Sequence, residues 1–464
     1  MRAPAAILIV PILCAGCTVG PNYKRPDTTV PSAYRGLTPE EAAKAETISV
    51  GDQKWWQVFE DEQLQSLIRT AIEQNYDVRI AATRVLEAQA QLGITRSNQF
   101  PTASAGAAIS SQRTSKTLVF PAGEETAGQV TLSAAWELDF WGKFRRATEA
   151  ARASLLASEW GRRAVIATLV SNVASAYFQL RALDLQLSIS RETLSSRQDS
   201  LRLTQLLADH GSTSMLDVRQ AEQLVFTAAA EIPFLEQQIE QEENLISVLL
   251  GQNPGPVTRG RTLTEQPHPP TVPAGLPSAL LERRPDIHAA EQQLIAANAE
   301  IGVAKAAYFP EISLTGTGGF QSPQLSSLFS GPAGLWTFGP SLTVPIFTAG
   351  RIHSTVRLAE AQQQQAVLFY QQTIQGAFRD ASDALIAYRK TQEFRAQQQL
   401  LTQSAQDAAR LSDMRYRGGV TSYLEVLTNE TNYFTAELAL AQAQFQELQA
   451  LVQLYNALGG GWQQ

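Results

Sequence analysis

Residues 75–101 read NYDVRIAATRVLEAQAQLGITRSNQFP, and residues 284–310 read RPDIHAAEQQLIAANAEIGVAKAAYFP. Laid over one another at an offset of 209, Asp77 meets Asp286, Gly93 meets Gly302, and Phe100-Pro101 meet Phe309-Pro310. At an offset of 208, Gly142 meets Gly350, and Leu250-Gly251 meet Leu458-Gly459. A third pair is LADHGSTSMLDVR (207–219) against RYRGGVTSYLEVL (415–427). Here Gly211, Ser214, Leu216, Asp217 and Val218 fall on Gly419, Ser422, Leu424, Glu425 and Val426. So many anchors at one spacing identify a tandem duplication. The copies are read as 63–250 and 278–461, joined by a linker at 251–277 that is rich in Pro and Gly.

Each copy reads as helix, two strands, long helix, turn, helix. The first predicts strands at about 102–119 and 127–141 and long helices at 143–206 and 213–250. The second predicts strands at about 311–322 and 335–348 and long helices at 351–414 and 421–458. Leu169, Val173, Ala176, Leu180, Leu183 and Leu187 alternate spacings of four and three, and Leu427, Phe434, Leu438, Ala441, Phe445, Leu448, Val452 and Tyr455 keep the same beat. That is the heptad seam of coiled-coil packing. The remaining faces carry Gln, Ser, Arg and Glu, which suits a thin wall wetted on both sides. At a rise of roughly 1.5 Å per residue, 143–206 spans about 96 Å, 213–250 about 57 Å and 77–99 about 35 Å. Two shorter helices therefore fit end to end beside a long one. Pro233 predicts a kink, while its counterpart Ala441 does not.

Residues 130–140, VTLSAAWELDF, alternate Val130, Leu132, Ala134, Trp136, Leu138 and Phe140 with Thr131, Ser133, Ala135, Glu137 and Asp139. Residues 336–346 set Trp336, Phe338, Leu342, Val344 and Ile346 against Thr337, Gly339, Ser341 and Thr343. About eleven residues suffice for a tilted strand to cross an outer membrane. Four strands from one chain close no barrel, and open edges do not sit in lipid. If these strands lie in the membrane, rather than forming a soluble hairpin with one buried face, several chains must share one barrel. Two would supply roughly eight strands and a filled interior, and three roughly twelve and a lumen.

The chain has 464 residues, 17% charged and 44% hydrophobic, with a formal charge of −7. That balance argues against a nucleic-acid partner, which needs a basic footprint. Its two cysteines, Cys14 and Cys17, lie in MRAPAAILIVPILCAGC at the N-terminus. Arg2, the short apolar run Ala5 to Leu13 and the small Ala15-Gly16 before Cys17 have the shape of a bacterial lipoprotein signal. A signal peptide is expected at 1–16, lipidation at Cys17 and a lipid-anchored segment over 17–62. Thr18 stands where an aspartate would favour retention at the inner membrane. No later apolar run is long enough for a transmembrane helix.

CTVGPNYKRP (17–26), LLERRPDIHAAEQQLIAANAEIGVAKAAYFPEISLTG (280–316), RYRGGVTSYLEVL (415–427) and LYNALGGGW (454–462) resemble the lipoprotein branch of the outer membrane factors, the TolC/OprM-like efflux channels. The resemblance runs over nearly the whole chain from Cys17. It implies a mainly α fold with a small β part. It also implies a homotrimer in which four strands per chain build a shared twelve-stranded outer-membrane β-barrel above a long coiled-coil-like α-barrel. The partners implied are a periplasmic adaptor, or membrane fusion protein, an inner-membrane pump and outer-membrane lipid. The channel would carry small toxic compounds or drugs. An exit duct for secreted polypeptides is the alternative within the channel class, and a lipid-anchored periplasmic scaffold the alternative outside it. The paired alternating strands speak against a scaffold.

In that family the helix-to-helix turns form the periplasmic tip, where the channel is gated and the adaptor docks. Here the turns are Leu207–Ser214 and Tyr416–Ser422. Gly211, Gly418 and Gly419 are expected to permit the reversal, with Ser214, Ser422 and Leu424 beside them at the docking surface. Asp217 and Glu425 are the candidate gate acids, six in a trimer, forming a ring that attracts cations. The plainer role of each is to favour the positive end of its helix. Where the family often places a second acid, this chain has Thr428. Arg415, Tyr416 and Arg417 are candidate latch residues between neighbouring helices. His210, His268, His288 and His353 are scattered, and neither HExxH, G-x-S-x-G nor G-x-x-x-x-G-K-[ST] occurs. No catalytic residue, metal site or cofactor is expected, so a partner must supply the energy.

Overall fold

The computed structural model describes residues 18–35, 49–113, 117, 124–267, 269 and 272–463. The expected signal peptide, Cys17, His268 and the end of the first expected strand lie outside them. Among the described residues the order is α1 (Glu62–Gln74), α2 (Tyr76–Ser97), β1 (Thr102–Arg113), β2 (Glu124–Glu137), α3 (Lys143–Asp209) and α4 (Met215–Leu249). Then follow α5 (Pro277–Arg283), α6 (Pro285–Ala306), β3 (Glu311–Ser322), β4 (Gly334–Thr343), α7 (Arg351–Arg417) and α8 (Tyr423–Ala457), with short helical turns between. The duplication is visible in the lengths. Helices α2 and α6 have 22 residues each, α3 and α7 have 67, and α4 and α8 have 35. No described helix is long and apolar enough to cross a membrane.

Several boundaries differ from the sequence expectation. Strand β2 stops at Glu137 rather than 141 because Asp139 turns to cap α3, accepting from the amides of Phe144 (3.2 Å) and Arg145 (2.9 Å). Strand β4 stops at Thr343 rather than 348, two residues before Pro345, which has no amide to donate. Helices α3 and α7 run three residues beyond 206 and 414, and α4 and α8 begin two residues after 213 and 421. Pro233 lies inside α4.

The chain forms two compact units. One comprises residues up to Asp27, Arg84–Glu159 and Ala289–Gln371. It holds one antiparallel sheet in the order β1-β2-β3-β4. The register pairs Ala107 with Val130, Val130 with Phe320, Leu132 with Gly318, and Gly318 with Trp336. Directly paired residues share a face. One face thus gathers Ala105, Leu132, Gly316, Gly318, Trp336 and Phe338, while the other gathers Ser104, Ser133, Thr317 and Thr337. Trp336 and Phe338 stay exposed, and among the described residues strands β1 and β4 each leave one edge unpaired.

A strap of residues 18–25 crosses this unit. Val19 donates to the Trp141 carbonyl (3.0 Å), and buried Arg146 on α3 reaches the Val19 carbonyl (3.3 Å) and Asn22 (2.7 Å). Asn298 on α6 holds the Pro21 carbonyl (3.0 Å), and Arg25 and Tyr23 close on Glu291. A Cβ on Gly302 would lie 2.7 Å from the Val19 carbonyl oxygen, so the strap can pass only over a glycine.

The other unit comprises Thr28–Thr83, Trp160–His288 and Gln372–Gln464. Its core carries most of the predicted heptad residues, with Val173, Leu180, Val452 and Tyr455 wholly buried and Leu187, Leu427 and Leu438 half-buried. The stacking expected of the shorter helices occurs here. Asn75, at the head of α2, donates to the Leu249 carbonyl at the end of α4 (3.0 Å). In the second copy Arg284 donates to the Ala457 carbonyl (3.3 Å). Buried Asp61 ties the linker down by accepting from Tyr177 (2.9 Å), Gln266 (2.8 Å) and the amides of Gln63 (2.9 Å), Leu64 (3.2 Å) and Arg261 (3.0 Å).

Candidate functional site

The two turns are built alike at the backbone and differently at the side chains. Helix α3 ends with Gly211 at φ +73°, Gly211 N–H bonded to the Ala208 carbonyl (2.9 Å) and Ser212 N–H to the Leu207 carbonyl (2.8 Å). Helix α7 ends with Gly419 at φ +71°, Gly419 N–H on Tyr416 (2.9 Å) and Val420 N–H on Arg415 (2.9 Å). Both are Schellman closures, which need a left-handed residue at the glycine. Gly418 lies outside the left-handed region, so the reversal rests on Gly419 alone, contrary to the expectation for that pair.

At the first turn Ser214 caps α4. Its hydroxyl accepts from the Asp217 amide (3.3 Å), and the Asp217 carboxylate accepts from the Ser214 amide (3.2 Å) and the Thr213 hydroxyl. This is a capping box with an aspartate at the third position. Burial works against the charge on Asp217, but these hydrogen bonds outweigh it and hold the carboxyl below the usual carboxylate range. At the second turn Ser422 makes no side-chain cap. Glu425 instead accepts from the Thr421 hydroxyl and pairs with Arg415 at 3.1 Å. Asp217 and Glu425 occupy equivalent places in the duplication, yet only Glu425 carries a cation partner on the described residues.

The remaining candidates divide. Tyr416 sits edge-on to Tyr423 with ring centres 5.2 Å apart, and its hydroxyl is 3.4 Å from that of Thr213, so it touches both turns. Arg417 turns back to Asp413 on its own helix (2.8 Å) and, among the described residues, joins no second helix. Leu424, Leu216 and Val420 are exposed apolar side chains at the turns. Sequence reasoning passed over Arg197 on α3, which is 3% exposed and donates to the Leu224 carbonyl on α4 (2.9 Å) and the Glu430 carbonyl on α8 (3.4 Å). Burial pushes the Glu430 carboxyl above its ordinary range against the pull of Arg197. The signal was present: the beat ending at Leu187 continues through Ser190, Leu194 and Arg197.

Elsewhere in this unit a cleft of about 680 Å³ is lined by Thr168, Arg284, Asp286, Arg379, Asp380 and Asp383 among others. Arg284 is bonded to Asp286 (2.6 Å) and Asp380 (3.4 Å). These ion pairs hold the head of α6. Among the described residues no cluster of His, Cys, Asp and Glu could hold a metal.

Comparison with known proteins matches the "Outer membrane efflux protein" family model in two segments, residues 67–252 and 276–460. The chain is 36% identical to the "Toluene efflux pump outer membrane protein TtgC" of Pseudomonas putida, covering 98% of this chain and 95% of that one. It is 36% identical to the "Probable outer membrane lipoprotein SilC" of Salmonella typhimurium, covering 97% of each. It is similar in structure to the open-state Neisseria gonorrhoeae MtrE outer membrane channel, with a TM-score of 0.87 at 33% identity over 96% of this chain and 99% of that one.

Proposed function

This chain belongs to the outer membrane efflux protein family and is the outer-membrane channel of an efflux system; from that premise we propose how the duct is assembled and what it carries. The observation that carries the reading is the sheet, apolar on one face, polar on the other and open at β1 and β4. Lipid leaves no backbone donor or acceptor unpaired, so each open edge must find the edge of another copy. Three copies close a twelve-stranded barrel with a lumen. Their long helices continue it as an α-barrel.

Acylation of Cys17 adds a second membrane anchor. It is supported by the signal pattern, by the lipoprotein name of SilC, and by Thr18, which packs on Gly142 just past the end of β2. The apolar turns at Leu216, Val420 and Leu424 receive a periplasmic adaptor, and an inner-membrane pump supplies the energy. The cargo is small toxic compounds or drugs, the class to which the toluene named for TtgC belongs. Asp217 and Glu425 set a negative field at the tip.

A strain lacking the gene, challenged with a panel of toxic compounds, tests the reading. Restored resistance on re-expression, with conductance of the purified protein in planar bilayers, is the expected result. Unchanged susceptibility together with absence of conductance overturns it.

A further inference from the structure

Glu430 on α8 and Glu222 on α4 hold the same place in the two copies, at an offset of 208. Glu222 is held by a cation of its own helix, Arg219, at 2.7 Å. The counterpart of Arg219 is Leu427, so α8 offers Glu430 no such partner at that place. The cation beside Glu430 is Arg197 of α3, and it donates elsewhere. Its two terminal nitrogens go to carbonyls, one to Leu224 of α4 (2.9 Å) and one to that of Glu430 (3.4 Å). Three atoms are left over. Arg197 Nε, the Oε2 of the Glu430 carboxyl and the Tyr423 hydroxyl are all buried and, among the described residues, make no hydrogen bond. All three lie in the compact unit that holds both tip turns.

Buried polar atoms are paired with few exceptions, and leaving one unpaired is costly. Here a charged donor and a carboxyl acceptor are both unpaired, and each lies within the electrostatic reach of the other. A second pairing is therefore open to the guanidinium. We propose that Glu430 is a proton-operated switch for the Arg197 pin: neutral, it leaves the guanidinium on the two carbonyls that tie α4 to α8, and ionised, it draws the guanidinium onto its own carboxylate and releases α4. The contacts of Arg197 are those of the neutral arrangement.

The surroundings favour the proton. Burial is the largest influence on the Glu430 carboxyl and pushes it up, Arg197 of α3 pulls it down, and the like charge of Asp413 on α7 adds to the rise. Helix α4 contributes the Leu224 carbonyl, which Arg197 takes, and Tyr423 on α8 and Tyr416 on α7 stand in the same field. Burial also works against the charge on Arg197. A carboxyl raised in the folded state keeps its proton below the raised value and loses it as the pH climbs through that value. The pin is thus closed on the acid side and released on the alkaline side. That sign is opposite to the one expected of Asp217, whose carboxyl is held down. About two turns along α8 from Glu430, Tyr423 sits edge-on to Tyr416 of the second tip turn. Proton uptake at Glu430 therefore stiffens the helices that carry the tip. The device lies inside one chain and does not depend on how many copies form the duct.

The test uses the full chain purified from membranes. Hydrogen exchange at residues 224–228 and 430–434, corrected for intrinsic rates, is expected to speed up about tenfold from mildly acidic to mildly alkaline buffer, the equivalent of one hydrogen bond to a charged group. Residues 235–239 of α4 serve as the unchanged reference. Glu430→Gln, which mimics the neutral carboxyl, should hold the protection in both buffers, and Glu222→Gln should follow the wild type. Infrared difference spectra are the second measurement: the wild type should keep a protonated-carboxyl band after the exposed carboxylates have ionised, and E430Q should lack it. Equal protection of the wild type in both buffers overturns the switch, as does a band that E430Q retains. If E430Q does not fold, the wild-type exchange profile alone decides, because a pin without a proton switch holds these amides equally in the two buffers.

Discussion

Arg415 and Glu425 are joined across the second tip turn by an ion pair of 3.1 Å, whereas their counterparts at the first turn, Leu207 and Asp217, form none. The duplicated acids therefore face different fields. Both partners of the pair are substantially exposed, at 54% and 38% for the side chains. Exposed pairs of this kind contribute about 0–1 kcal/mol. Arg415→Ala is expected to leave the unfolding transition nearly unmoved while freeing the Glu425 charge in every copy. The reversal potential of single channels under a salt gradient should then shift toward cations, and D217N with E425Q should shift it the other way. Unaltered selectivity in both variants removes the two acids from the gate.

The caps give a second contrast. Ser214 caps α4 through its side chain and Ser422 does not cap α8. Loss of a serine cap costs about 1 kcal/mol. Ser214→Ala is expected to lower hydrogen-exchange protection at residues 215–218 roughly fivefold on that cost, and Ser422→Ala to change residues 423–426 far less. The pH dependence has a definite sign. The Asp217 carboxyl is held below its ordinary range, so its folded value lies under its unfolded one. Its stabilising contribution is present at neutral pH and is lost as the pH falls through the depressed folded value. After correction for intrinsic exchange, acidification should loosen the first turn, and Thr213→Val should start that loosening at higher pH. Equal responses of the two turns count against a capping role for Ser214.

What the sequence revealed depended on periodicity. The duplication, the alternating strands and the heptad beat from Leu169 to Leu187 are repeated patterns, and repetition makes weak local preferences legible. Individual polar contacts between distant segments left no such trace. Nothing around Asp61 announces that Tyr177, Arg261 and Gln266 converge on it, and nothing in residues 18–25 announces a strap over Gly302. The burial of Arg197 was readable by extending the seam, but arginine at a seam position looks like a wet flank until its carbonyl partners are seen. Strand ends failed for a related reason: Asp139 fits the alternation yet caps a helix. At the turns, the glycines were legible because φ is positive at Gly211 and Gly419. The choice of acid partner at each turn was set by Arg415 against Leu207, one of several differences around a shared Gly, Thr, Ser, Leu and Val.

Asp61 is one of the points at which the linker between the copies is held. It is 1% exposed and accepts five hydrogen bonds. Burial opposes its charge, yet the bonds from Gln266, Tyr177 and the helix amides hold the carboxyl below its ordinary range. Asp61→Ala strands buried donors, each at roughly 1–3 kcal/mol, and is expected to lower the denaturant midpoint well beyond a surface substitution. Gly260→Ala attacks the same point sterically, since its Cβ would fall 2.8 Å from Cβ of Gln63 and 2.9 Å from the Tyr177 hydroxyl. Both variants should reduce the yield of folded channel, and wild-type midpoints in both refute a structural role for this knot.

The sheet offers the sharpest test of which surface meets lipid. Phe338 lies on the apolar face opposite Gly316, and Thr337 lies on the polar face opposite Thr317. Both are adjacent on β4, so backbone effects of substitution are matched. An arginine on the lipid face of a barrel costs about 2–4 kcal/mol near the midplane, while changes on the lumen face mainly tune selectivity. Phe338→Arg is expected to cut membrane-inserted, heat-modifiable protein severalfold. Thr337→Arg should insert at near wild-type levels and move the reversal potential toward anions. If Thr337→Arg blocks insertion while Phe338→Arg conducts normally, the faces are reversed, with the hydroxyl-bearing side against lipid and the aromatic side against water.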